Sequence, residues 1–250
     1  QWQQWLPAAP QGVGQPITDR PAWEALRATP PFQKAIATAE RLLGEPLPEA
    51  SDELYLEFSR NGNRTRYQDV MRPRHHRFAQ LALAECLENQ GRFLPAIEAA
   101  IRAISADKSW LMPAHDKELK NFHGSEITID LESSALSWNL ATTDYWLGDK
   151  LSPDTRALIR QELERRTFTP FEQCLKTGKP VLSWLKSTSN WNAVCLAGVT
   201  GTALAVIDAP ERRAWFAAAA EHSIQNFLRG FTPDGYCSEG VGYFNYGFGH

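Results

Sequence analysis

The chain has 250 residues, 43% of them hydrophobic and 22% charged, enough to bury a sizeable core as one large domain or two smaller ones. A formal charge of −3 and the lack of any Lys/Arg-rich run argue against nucleic acid as a partner. No apolar run approaches the ~20 residues that span a bilayer, so no membrane-spanning helix is expected.

Nine tryptophans and 11% aromatic residues exceed what a core of this size needs. Exposed rings commonly serve as platforms for sugars or partners, with extra core filling as the ordinary alternative. Cys86, Cys174, Cys195 and Cys237 lie too far apart for a zinc-finger pattern, and nothing else has metal-ligand spacing, so neither metal nor cofactor is expected. Their even number permits disulfides without demanding them. A start at Gln1 with neither methionine nor leader fits a processed exported protein as well as an excised segment; the expectation is a secreted or periplasmic protein. The end at His250, inside a Tyr/Phe/Gly-rich stretch, leads us to expect further chain beyond it.

Residues 1–20 carry Pro7, Pro10 and Pro16 without any period and predict an extended arm held on the body by Trp2 and Trp5. Residues 21–250 read as helices. Pro21 suits the first turn of WEALRA, and Pro30-Pro31 opens FQKAIATAERLLG, which closes on Gly44. Ser51-Asp52 caps ELYLEFSR, broken at Asn61-Gly62-Asn63. A helix from Arg64 to Gly91, followed at once by RFLPAIEAAIRAISA, predicts an antiparallel αα-hairpin. Within the first of these, Arg74-His75-His76-Arg77 reads as a solvated basic turn rather than a carboxylate or sulfate site.

Trp110 to Asp130 interrupts the helices with Pro113, His115, Asp116, His123 and Gly124, and long irregular connections in a helical body are often functional. DLESSALSWNLATTDYWLG follows, its apolar positions spread around the helix, so that burial on more than one side is expected. A charged partner runs from Ser152-Pro153 to Gly178. Trp191 to Val206, rich in small residues, and Pro210 to Gly230 form the next pair. This alternation of inner and outer helices predicts an all-α ring or solenoid of hairpins, repeated in structure but without a fixed sequence period.

SNWNAVCLAGV, followed after one hairpin by FTPDGYCSEGVGYFNYG, resembles the heparinase II/III-like polysaccharide lyases; WLMPAHD and ITIDLESSALSWNLA resemble the preceding repeats of that family. The similarity covers roughly Trp110 to His250. It implies an incomplete (α/α) toroid over residues 21–250, continued in the full-length protein by a β-sandwich. It also implies β-elimination on an acidic polysaccharide: a base removes the C5 proton of a uronate, the C4–O bond breaks, and a 4,5-unsaturated uronate remains.

The C5 proton beside an ionised carboxylate is weakly acidic, so neutral donors must hold the carboxyl group and spread its developing charge. The resemblance assigns this to an asparagine or a histidine in this motif, here Asn190 or Asn192, with helix capping as the ordinary alternative for Asn190. It assigns the catalytic acid, and often the base, to a tyrosine. Tyr246 fits the spacing best and Tyr243 becomes a wall of the cleft or a core residue. His250, one helical turn after Tyr246, is expected to lower the phenol's pKa. Where related lyases carry an Asn-His pair, Trp191 follows Asn190, so a histidine base would come from His115, His123 or elsewhere. Glu239 is expected to orient the tyrosine segment or cap the helix after it, and His115-Asp116 to bind sugar with Trp110 and Trp191 as ring surfaces. Two rival readings are an (α/α) glycoside hydrolase, drawing paired carboxylates from Asp116, Asp234 and Glu239, and a non-catalytic glycan-binding scaffold.

Overall fold

The computed structural model describes residues 2–250, and among them the regular structure is helical apart from one isolated β-bridge between Phe231 and Cys237. In chain order the α-helices are α1 (Arg20–Arg27), α2 (Pro30–Leu43), α3 (Asp52–Asn61), α4 (Thr65–Glu88), α5 (Leu94–Ser105), α6 (Leu131–Leu147), α7 (Pro153–Leu163), α8 (Thr169–Thr177), α9 (Asn190–Val206), α10 (Pro210–Leu228) and α11 (Val241–Phe248). Local punctuation sets most of these ends. Asp19, Ser51, Asp130 and Ser152 accept first-turn N–H groups, proline opens α2, α7 and α10, and Gly62 and Gly178 close α3 and α8 in the left-handed region.

The predicted helix from Ser152 to Gly178 is interrupted. A π-helical turn, Glu164–Phe168, joins α7 to α8, and Thr169 N–H reaches back to the Glu164 carbonyl. Pro170, which has no N–H to donate, follows directly; widening the ladder by one residue is a common way to accommodate such a gap.

Helix α4 packs on α5, α6 on α7, and α9 on α10, while α4, α6, α9 and α11 touch in series. The core fills the space between these pairs with Phe78, Leu81, Ile101, Leu140, Ile159, Phe171, Val199 and Phe216. Helices α6 and α9 make the most extensive contact, because their facing residues are small. A Cβ on Gly198 would sit 2.7 Å from the Ser134 carbonyl oxygen, closer than any side chain tolerates. As expected, α6 is buried on more than one side, with Ser134, Leu136, Ser137, Leu140 and Thr143 all buried.

Two expectations are corrected. The N-terminal arm does lie on the body, but Trp5 is 77% exposed and anchors nothing. Arg213, buried under the arm, instead donates to the carbonyls of Pro7 and Ala8, the Gln11 N–H pairs with the Leu204 carbonyl, and Trp2 Nε1 donates to Glu221. The Arg74–Arg77 cluster is not a solvated turn; it lies within α4 with Arg74, His75 and Arg77 buried. Arg74 bridges Asp107 and the carbonyls of Pro48 and Ala103, and Arg77 binds the carbonyls of Leu42, Glu45 and Pro46. Unpaired carbonyls at the ends of α2 and α5 draw these guanidinium groups inward, where planar multi-donor cations are well suited to satisfy them.

Candidate functional site

The N-terminal ends of α6 and α9, the irregular connection before α6 and the segment carrying α11 supply the candidate residues. Asp130 is the N-cap of α6 and is 2% exposed. Its Oδ1 accepts the Ser133 N–H at 2.8 Å while the Ser133 hydroxyl lies 2.9 Å from the Asp130 N–H, a reciprocal cap. Its Oδ2 accepts the Met112 N–H at 3.0 Å and stands 2.7 Å from His115 Nδ1. A carboxylate offers only acceptors, so this contact places a proton on Nδ1. The His115 ring meets Trp191 edge-on at 4.6 Å. Both line a cavity of about 370 Å³ together with Asp130, Leu182, Trp184 and Thr128.

The connection before α6 is otherwise organised from within. Asp116 is buried, and its carboxylate accepts from the Tyr55 hydroxyl, the N–H groups of Asn121 and Phe122, and the Asn121 amide. It therefore shapes the loop, and it lines the same cavity as His115 with its carboxylate already engaged by these donors. Burial pushes the Tyr55 hydroxyl far above its ordinary range, so it remains a donor to Asp116 and not an ionised neighbour. Trp110 is only 1% exposed, with its Nε1 bonded to the Ile104 carbonyl and the Arg166 guanidinium 4.7 Å over its ring. It is a core residue and not a stacking surface. His123 lies exposed beside Phe122.

At the start of α9 the N-cap is Ser189, whose side chain makes no capping bond. Glu239 takes that place from across the chain: its Oε2 accepts the Asn190 N–H at 2.5 Å and its Oε1 accepts from Asn190 Nδ2 at 3.0 Å. The positive end of α9 thus faces a carboxylate supplied by the segment leading into α11. Glu239 was expected to serve the helix that follows it; it caps the earlier one. Asn192 is fully buried and donates to the carbonyls of Trp184 and Leu185, leaving its Oδ1 unpartnered. Its donors are spent on the turn before α9, and a carbonyl oxygen has nothing to offer a carboxylate, so the donor role expected for Asn192 is corrected.

Gly240, at φ +97°, turns the chain into α11 in a conformation that favours glycine. Tyr243 and Tyr246 then stand 51% and 42% exposed, so Tyr243 is not a core residue. The Tyr246 phenol is raised above its ordinary value, first by partial burial and further by Cys195 and Glu132, against an opposing effect of Arg72. The expectation that His250 lowers it is corrected. His250 Nδ1 bonds the Tyr246 backbone carbonyl at 2.8 Å, and its ring meets the tyrosine edge-on at 5.1 Å, away from any role as a cation beside the oxygen.

Helix α9 packs against α11. The buried His75 places Nδ1 3.5 Å from Glu132 Oε1 without a hydrogen bond. Sequence reasoning passed over Asp130, Glu132 and Trp184. The first had a local signal, an Asp three residues before Ser133 at the head of a helix, whereas the others depend on contacts made only in the folded chain.

Among the described residues no helix is long and apolar enough to cross a membrane. The chain matches no family model and no curated protein.

Proposed function

We propose that this chain forms the greater part of the incomplete (α/α) toroid of a polysaccharide lyase that cleaves an exported, uronic-acid-containing polymer by β-elimination. The resemblance to heparinase II/III-like lyases motivates this reading, and the alternation of α4/α5, α6/α7 and α9/α10 pairs along a series of touching inner helices is what a toroid requires. The observation that carries it is the Glu239–Asn190 bond. Two motifs separated by a hairpin meet there, so an amide donor and a phenol belong to adjoining pieces of one rim.

The chemistry divides between them. An asparagine amide has two N–H donors; one rests on Glu239 and the other serves the uronate carboxylate, where it spreads the negative charge that develops as C5 loses its proton. The charge of Glu239 is itself taken up by the helix end. Tyr246, with its phenol held neutral above the ordinary range, donates a proton to the departing O4. The hydrolase reading is weaker, since it needs a free carboxylate pair. Asp116 is covered by donors, Glu239 is bound to Asn190, and Asp234 is tied to Thr232 on an exposed turn.

The test is incubation with a panel of uronic-acid polysaccharides, following the ultraviolet absorbance of the conjugated unsaturated uronate. Absorbance that rises with the wild type and is abolished by Tyr246→Phe supports the lyase. New reducing ends without that absorbance indicate hydrolysis, and binding without cleavage of any polymer indicates a scaffold.

A further inference from the structure

Of the elements that supply the candidate site, α6, α9 and residues 230–250 contain no lysine or arginine. They do contain carboxylates: Glu132 in the first turn of α6, and Asp234 and Glu239 ahead of α11. Glu239 bears most directly on the proposed chemistry, because its two oxygens accept the Asn190 backbone N–H at 2.5 Å and the Asn190 amide at 3.0 Å. A helix end supplies about half a unit of positive charge, so a full carboxylate set against α9 leaves negative charge beside that amide.

The neighbouring elements do not reverse this balance. Arg72 of α4 counters Glu132 at the Tyr246 phenol, and Lys186, four residues before Asn190, has Glu239 as its counterpart in charge. The cavity at Trp191, the residue after Asn190, holds Lys117 and Lys120 against Asp116, Glu118, Glu126 and Asp130, and Lys120 is already paired with Glu118 at 2.6 Å. Arginines of the outer helices are engaged too: Arg156 and Arg160 bind Asp144, and Arg212 binds Glu164.

A uronate ring brings one carboxylate, and the second N–H of the Asn190 amide provides for it. Sulfate esters call for guanidinium or ammonium groups, and at this site each would meet the residual charge of Glu239 instead. We propose that the substrate is a uronate chain without sulfate, and that Glu239 excludes sulfated chains by fixing a negative charge on the amide that receives the uronate carboxylate. The inference rests on the lyase reading and names the substrate class for the same site. Glu239 has two separable effects: it orients the amide through hydrogen bonds, which a neutral acceptor can also do, and it repels a further anion, which only the charge does.

The experiment uses the full chain and a panel of unsulfated uronic-acid polymers, each beside its chemically sulfated form, with absorbance of the unsaturated uronate as the readout. For any polymer that is cleaved, kcat/KM is expected to be at least about tenfold higher on the unsulfated form, well within the range for juxtaposed like charges. Added salt is expected to bring the two forms closer, because screening weakens repulsion. Glu239→Gln keeps an oxygen for Asn190 and loses the charge, and is expected to narrow the ratio to about threefold or less by lowering KM for the sulfated form. Circular dichroism establishes whether this variant is folded, and the salt dependence of the wild type decides the matter if it is not. A wild type that prefers the sulfated form, or whose action on it is weakened by salt, overturns the proposal and leaves the lyase reading standing. A folded Glu239→Gln with an unchanged ratio does the same. Absence of unsaturated product from every polymer in either form overturns both.

Discussion

Glu239 and Asn190 are joined twice, through the amide at 3.0 Å and through the backbone N–H at 2.5 Å, although 49 residues separate them. A carboxylate at the positive end of α9 replaces the side-chain cap that Ser189 does not provide. Glu239→Ala should therefore cost about 1–3 kcal/mol, the range for losing a charged cap and leaving a helix-end N–H unpaired. A double-mutant cycle with Asn190→Ala, read by urea denaturation, should give a coupling energy of at least about 0.5 kcal/mol. Simple additivity would show that the two residues are neighbours without being partners.

The raised phenol of Tyr246 makes a spectroscopic prediction. Titration at high pH, followed as the ultraviolet difference between wild type and Tyr246→Phe, should place ionisation above the ordinary ~10. Because the folded value lies above the unfolded one, the associated stability is present below the unfolded pKa and is lost as pH rises through the folded pKa. A midpoint below the ordinary value would instead favour a tyrosine able to act as base.

Acid should weaken the fold through Glu164. Arg212 holds its carboxyl below the usual range by paired hydrogen bonds at 2.8 Å, which outweigh its partial burial. Glu162 is likewise lowered: burial raises it, but Arg165 and Arg166 outweigh that effect. The folded pKa values are depressed, so this stability is present above the unfolded value of ~4.3 and is lost as pH falls through the folded ones. Urea midpoints measured down the acid limb should fall less steeply in Glu164→Gln than in the wild type.

Gly198→Ala tests the contact on which the rim depends. The added methyl would lie 2.7 Å from the Ser134 carbonyl, and backbone cannot swing aside as a long side chain can. Separation of α6 from α9 should cost about 1–3 kcal/mol in thermal or chemical unfolding. The same separation would pull Trp191 on α9 from His115, which is held at the head of α6 by Asp130, and so should break the edge-on contact of their rings.

Where neighbouring residues carry the decisive physics, the sequence is enough. Pro30 and Gly44, Ser51 and Gly62, and Ser152 and Gly178 each start and stop a helix through caps and backbone conformations formed within a turn, and these elements stand where their residues place them. The pairing of consecutive helices follows from short connections, and the irregular stretch before α6 from its lack of period. The π turn after Leu163 shows the limit even of local reading, because Pro170 permits either a kink or a widened turn and the surrounding contacts choose between them.

The candidate site divides in the same way. The resemblance carried by the two late motifs pointed to Asn190, Asn192, Glu239, Tyr243 and Tyr246, but whether a donor is free depends on partners far along the chain. Asn192 carries the same amide as Asn190 and has its donors bound by the carbonyls before α9; Asp116 carries the same carboxylate as Asp130 and is closed in by Tyr55, Asn121 and Phe122. Sequence by itself determined the helical class, most helix ends and the chemical types available at the rim, because those follow from short-range periodicity and capping. Only the tertiary structure decided which of those groups are engaged, set Asp130 against His115, and opened the cavity at Trp191, because burial and hydrogen-bond competition arise when distant segments exclude water together.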